Sequence, residues 1–350
     1  MPHRLLLVHG MGRHDDDWAA PVIQTLKNLY DGFDRDPPLL TRKPFEVRIQ
    51  PVPIRYDHVF RDILKEWADN NESLASHADL LGADAVSRLT GWLDNADLDT
   101  FAWTHAADVL LYRGFSLVRE RVKVSVANQL AVAIEDAIEA DDSWSVLAHS
   151  LGAPVLMDSL HALFVEEFPD DVPTGFEPQN AQAVLVMMVA NVSRLLQTVP
   201  LAYESTVQPG EAGSQDRGCQ LYLNPAHFLD PFLVPKPFDP EAWPDLEPVP
   251  NELYRRIVVR HIHEANVHSL EHYLEHPAVH IPLFRALTWK SSIPISQEEQ
   301  KLEGFPPFGD LSEAEWKAIK EKLDDAQVGS PASPWELLET IWDSYQAAQD

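Results

Sequence analysis

The sequence predicts an α/β fold: a mostly parallel central sheet with helices on both faces, a helical insertion ahead of residue 150 and a helical C-terminal tail. Three observations carry this prediction. Short continuous apolar runs at residues 5–8 (LLLV), 144–148 (WSVLA) and 183–190 (AVLVMMVA) have the length of strands buried on both faces. Segments of helical periodicity lie between such runs, and strands that alternate with helices pair in parallel. Glycine-bearing turns (HGMG and HSLG) follow the first two runs, where a strand enters a tight loop.

The elements follow in order. After the first strand and its HGMGRH turn, residues 45–54 (FEVRIQPVPI) alternate and then carry Pro51 and Pro53, which marks an edge strand or a strand end. Residues 58–112 space Trp67, Leu74, Leu80, Leu81, Leu89 and Trp92 among polar residues, as several short helices would. Residues 116–140 form a firmer helix, with Val122, Val126, Leu130, Ile134 and Ile138 recurring every four residues. The segment after Ser150 is apolar on most sides and reads as a buried helix. Residues 170–180 and 204–218 read as loops, 220–223 (QLYL) and 257–262 (IVVRHI) as strands, and the proline-rich 231–250 as neither helix nor central strand. A helix is expected from about Ser269. In the tail, SEAE at 312–315 and SPWE at 333–336 match capping boxes. Residues 1–290 are therefore expected to form one domain, with 58–112 as a helical lid or an extra helical layer. Residues 291–350 are expected to be a helical extension packed on it.

Composition narrows the function. The chain has 27 basic and 55 acidic side chains, a formal net charge of −28, which repels nucleic acid and anionic membrane surfaces. No stretch approaches the roughly 20 apolar residues of a membrane span, and the first apolar run is too early and short for a signal peptide. The expectation is a soluble cytoplasmic protein without stable membrane insertion, its oligomeric state open. A single cysteine, Cys219, excludes an internal disulfide and a cysteine metal cluster, and its strand context suits a packed thiol.

The chemistry centres on SVLAHSLGAP (145–154). A strand that reverses abruptly into a helix forces its turn residue into strained geometry, and small neighbours let strand and helix approach. Ala148 and Gly152 are those neighbours. Ser150 then stands on the point of the turn, with the Leu151 N–H at a helix N-terminus, where it can stabilise a developing oxyanion. From these residues alone, Ser150 can equally be a helix N-cap.

Ala148-His149-Ser150-Leu151-Gly152 resembles the nucleophile elbow of the α/β-hydrolase superfamily, with Ala in place of the first Gly. His9-Gly10-Met11-Gly12 resembles the HG-type loop of lipase-like and esterase-like members, which places a second oxyanion donor at Met11 or, failing that, Gly12. The segment 108–130 resembles the Asp-Val…Tyr…Arg stretch of lipase-like members, and the resemblance covers about residues 3–288. It implies an acid and a base following Ser150 in that order. Asp230, in NPAHFLDPF beyond the QLYL strand, matches the acid; Asp239 and Asp245 lie deeper in the proline-rich loop, and Asn191 occupies the alternative acid position. His268, ahead of a helix with Ser269 as its cap, matches the base; His272 is the alternative, and His261 and His263 lie close to the last strand. The implied activity is that of a serine esterase acting on a small-molecule acyl ester, lipid esters included, through an acyl-enzyme on Ser150, with no metal or organic cofactor.

Two other readings stay open. His268, His272, His276 and His280 recur every four residues, a spacing that can bind zinc on a helix, although Pro277 interrupts the run and no H-E-x-x-H pattern accompanies it. A catalytically silent scaffold of the same fold, acting as a binding protein, would carry the same residues.

Overall fold

The computed structural model describes residues 2–11, 17–33, 44–69, 108–109, 111–113, 116–165, 178–196, 204–228, 230, 232–233, 238, 243, 252–262, 267–288, 293 and 295–305. The expected insertion helices at 70–107, Gly12, Asp239, Asp245, His263 and both tail capping boxes lie outside the described residues.

Six strands form one all-parallel sheet in the order β2-β1-β3-β4-β5-β6. They are β1 (His3–Val8), β2 (Ile49–Ile54), β3 (Ser143–His149), β4 (Ala183–Val189), β5 (Cys219–His227) and β6 (Tyr254–Val259). Leu5, Leu6 and Leu7 of β1 and Leu185 to Val189 of β4 are fully buried whichever way they point, as continuous apolar runs require of strands covered on both faces. β2 is an edge strand, and its prolines pair by position with Leu5 and Leu7 of β1. Two prolines two residues apart share one side of the strand; at an edge that side needs no donors.

The main helices are α1 (Ala19–Asp31), α2 (Asp57–Asp69), α3 (Ser116–Glu139), α4 (Gly152–Val165), α5 (Leu270–Glu275), α6 (Pro277–Leu287) and α7 (Ile295–Glu303). The chain leaves β1 towards β2 and returns to place β3 on the other side of β1, after which the order runs outward to β6. Right-handed crossovers in opposite directions put their helices on opposite faces. Accordingly α1 packs with α5 and α6, whereas α3 packs with α2 and α4. Ridges of Val122, Val126, Leu130 and Ile134 bury α3 against the sheet. The four-residue repeat does not hold to its end: Ile138 is 47% exposed and Ala137 is buried instead. Steps of four overshoot the 3.6-residue turn by about 40° each, which rotates the stripe off the core.

Three boundaries differ from the sequence expectation. Phe45–Arg48 is a helical turn, not the start of β2. β5 runs on through Asn224, Pro225, Ala226 and His227, because these residues pair with Arg256 to Val259 of β6 after β4 has ended its pairing at Leu223. β6 correspondingly begins at Tyr254 and stops at Val259. Of the C-terminal extension, α7 is described; Glu298 pairs with Arg285 of α6, and Lys301 lies over the Phe33 ring.

Candidate active site

The chain changes direction across the sheet between β1 and β3, and such a switch point opens a crevice at the carboxyl ends of the strands. Val8 pairs by position with Ala148, so the turns after the two strands lie side by side at that crevice. Glycines let them meet. A Cβ on Gly152 would lie 2.3 Å from the His9 carbonyl oxygen, and one on Gly10 would lie 3.1 Å from Ser150 Cβ.

Ser150 has φ 53°, in the left-handed region, where a side chain costs roughly 1–2 kcal/mol. Its N–H is tied to the Val189 carbonyl at the end of β4 (2.9 Å), which holds the strained turn in place. The serine is thus no helix N-cap in extended geometry; it is the point of a sharp strand-to-helix reversal. Within α4 the backbone bonds begin with Ala153 N–H donating to the Ser150 carbonyl (3.0 Å). The N–H groups of Leu151 and Gly152 therefore fall among the helix-start donors that the helix itself leaves unused.

Ser150, Asp230 and His268 come together although they lie far apart in the chain. His268 Nε2 is 2.8 Å from Ser150 Oγ, and His268 Nδ1 is 2.7 Å from Asp230 Oδ2. A carboxylate needs donors, so the imidazole proton sits on Nδ1. That leaves Nε2 as the acceptor for the serine hydroxyl. Asp230 is fully buried. Burial alone would raise its pKa, but attraction to the His268 imidazole and hydrogen bonds from His268, Tyr273 and the Phe232 N–H hold it below the ordinary carboxylate value. The Tyr273 hydroxyl donates to Oδ2 at 2.7 Å and the Phe232 N–H to Oδ1 at 3.0 Å.

The supports around this chain of contacts are aromatic and histidine side chains. His149 donates from Nε2 to the His268 carbonyl (2.7 Å), pinning the backbone of the loop that carries the imidazole. Phe232 packs against the His268 ring at 4.4 Å between centroids. Ser269 caps α5 by accepting from His272 N–H, which fixes where the loop ends. On the other side, His9 Nδ1 bonds to the Gly10 carbonyl (2.8 Å), and the His9 ring stacks on Tyr56 at 4.2 Å. The Tyr56 hydroxyl reaches the carbonyls of His9 (2.8 Å) and Gly10 (3.1 Å). With both carbonyls engaged, the loop leading to the buried Met11 has a fixed course.

The remaining sequence candidates are placed elsewhere. His272 Nε2 bonds to the His261 carbonyl (3.0 Å) and its ring stacks on His261 at 4.4 Å, so the structure brings His268, not His272, to the serine. His261 follows β6 and packs among His272, His276 and Phe305. Pro277 does end the histidine run: α5 stops at Glu275, and His276 caps α6 by accepting from Ala278 N–H. The four histidines aim at different partners, and no group of three or more potential ligands among the described residues could hold a metal ion. Asn191 bonds to the Tyr222 hydroxyl and the Ser193 N–H within the core. Cys219 is buried in β5, and burial pushes its thiol pKa upward, away from reactivity. Sequence reasoning missed Tyr56, Phe232 and Tyr273, whose roles arise from tertiary contact.

No protein-family model and no curated protein matches the chain. Among solved structures it is similar to the crystal structure of an uncharacterized protein from Pseudomonas aeruginosa, with 10% identity and a TM-score of 0.33 over 96% of this chain and 52% of that chain. The chain spans about half the length of that protein. No helix among the described residues is long and apolar enough to cross a membrane.

Proposed function

We propose that the protein is a serine hydrolase of the α/β-hydrolase superfamily, lipase- or esterase-like, that cleaves a carboxylic ester through an acyl-enzyme on Ser150. The observation that carries this reading is the continuous relay from Ser150 Oγ through His268 to Asp230, at 2.8 and 2.7 Å, with the serine in a left-handed turn at the sheet's switch point. A helix cap has no use for such a relay. A nucleophile requires it, because a free serine hydroxyl is a weak nucleophile until a base takes its proton.

In this reading His268 Nε2 removes the Ser150 proton as Oγ attacks the acyl carbonyl. The negative charge moves to the carbonyl oxygen, where the N–H groups of Leu151 and Met11 receive it. The imidazolium is stabilised by Asp230 and returns its proton to the leaving alkoxide, giving the alcohol and an acyl-serine. Water, deprotonated by the same imidazole, then releases the carboxylic acid and restores Ser150. The chain needs no metal or organic cofactor for any of these steps. The apolar Phe232 ring against His268 favours an acyl group over a charged one, and the acidic surface disfavours polyanionic substrates. A small-molecule acyl ester, lipid esters included, is the substrate class, and a cytoplasmic setting fits the same composition.

The test is hydrolysis of p-nitrophenyl esters of increasing chain length. Turnover that depends on chain length and disappears in Ser150→Ala supports the proposal. Wild-type hydrolysis no faster than the protein-free rate would remove it and leave the silent binding scaffold as the reading, and equal turnover by wild type and Ser150→Ala would remove the role of Ser150.

A further inference from the structure

We infer that Tyr273 is a positioning residue for the proposed reaction: its hydroxyl, polarised by one backbone donor, holds the Asp230 carboxylate in register with His268. This rests on the serine hydrolase reading and adds a fourth side chain to it.

Asp230 follows β5 by three residues and His268 precedes α5 by two, so acid and base sit on separate connecting segments. Neither is part of a helix or strand that would fix its position. Tyr273 lies in α5, is fully buried, and reaches both anchor points. Its hydroxyl accepts the His227 N–H at 2.8 Å, at the last residue of β5, and donates to Asp230 Oδ2 at 2.7 Å. The oxygen that takes the tyrosine proton is the one that faces His268 Nδ1. A chain of donors therefore runs from the β5 backbone through Tyr273 to the carboxylate, and it meets the chain from Ser150 through His268 at the same atom. Successive hydrogen bonds polarise one another, so the His227 N–H makes the phenol a stronger donor.

The carboxylate therefore cannot rotate: Oδ2 is held by Tyr273 and His268, and Oδ1 by the Phe232 N–H. A phenol that served only to fill space would not fix Oδ2 against the imidazole.

The experiment measures the rate of Ser150 labelling by a fluorophosphonate probe, and p-nitrophenyl butyrate turnover, for wild type and Tyr273→Phe, each also in an Asp230→Asn background. The expected result is a fall in kcat of about 10- to 100-fold with KM within about twofold, as for groups that orient rather than bind. In the Asp230→Asn background the same Tyr273→Phe change costs less than about threefold, since Tyr273 acts through Asp230. If Tyr273→Phe does not fold, p-aminophenylalanine at position 273 keeps the ring and a weaker N–H donor, and a smaller loss in kcat is expected that again vanishes in the Asp230→Asn background. Unchanged kcat and KM, or equal losses in the wild-type and Asp230→Asn backgrounds, overturn the inference while wild-type labelling preserves the hydrolase reading. Failure of wild type to label at Ser150 overturns both.

Discussion

Gly152→Ala probes the packing on which the candidate site depends. The added Cβ would lie 2.3 Å from the His9 carbonyl oxygen and 2.8 Å from that of Val8, where ordinary contact begins at 3.4 Å. The shortfall against His9 is about 1.1 Å (3.4 − 2.3), and both obstacles are backbone, so no rotamer change relieves it. Either the start of α4, with the Ser150–Leu151 turn that leads into it, or the loop that carries Met11 must move. Overpacking of this kind costs roughly 1–3 kcal/mol, or about 1–5 °C in Tm for a chain of 350 residues. A displacement of about 1 Å between reacting groups costs on the order of 100-fold in rate. The expected outcome is a folded protein with a modestly lowered Tm and kcat/KM on p-nitrophenyl butyrate reduced about 100-fold, equivalent to about 2.7 kcal/mol of transition-state stabilisation. Gly32→Ala is the control. Its Cβ would meet only helix carbonyls at 3.3 and 3.4 Å, far from the site in sequence, and its φ of −71° suits alanine, so kcat/KM should stay within about twofold. A Gly152→Ala protein that keeps its activity within about threefold, beside an equally active Gly32→Ala, would refute the claim that backbone contact at this point sets the geometry.

Three further outcomes follow from the same contacts. Asp230→Asn removes the acceptor that keeps the imidazole proton on Nδ1, so kcat should fall about 10⁴-fold, and a loss below about tenfold measured with the same ester would be incompatible with this role. His272→Gln should label with fluorophosphonate far faster than His268→Gln, because His272 bonds to the His261 carbonyl and not to the serine; the reverse order would exchange the two assignments. Stability should decline in acid. Burial lowers the pKa of His3 and of His280 from 6.5 to about 4, so the unfolded chain binds more protons between those values. Their contribution is complete above pH 6.5 and is lost as pH falls towards 4, by on the order of 3 kcal/mol per histidine at most. Denaturant unfolding at pH 7, 5.5 and 4.5 reads this, and a free energy independent of pH would contradict it.

How much of this the sequence disclosed depended on whether a feature was local. β1, β3 and β4 were legible because strands covered on both faces admit little but apolar residues, which leaves an unbroken run. The Ser150 turn was legible from small residues at 148 and 152, and the geometry shows why Gly152 must be small: two carbonyl oxygens stand where a side chain would begin. Ser269 announced its helix as a cap should. The ends of β5 and β6 were not legible. Asn224, Pro225, Arg255 and Arg256 look like loop residues, yet they lie in paired strands: the two arginines are exposed on the edge strand β6, where polar side chains remain tolerable, and the buried Asn224 of β5 donates to the Tyr254 hydroxyl. The exact α3 stripe was misjudged at Ile138 because a four-residue repeat drifts around a 3.6-residue helix. Tyr56, Phe232 and Tyr273 could not be assigned from sequence, since each acts on a residue dozens or more positions away or through its backbone N–H.

The central claim is tested most directly by treating the folded protein with a fluorophosphonate and mapping the adduct by mass spectrometry. The expected result is a single adduct on Ser150, absent in Ser150→Ala and formed much more slowly in His268→Gln. A well-folded protein that takes up no probe, or takes it up at another residue while Ser150 stays unmodified, would contradict it.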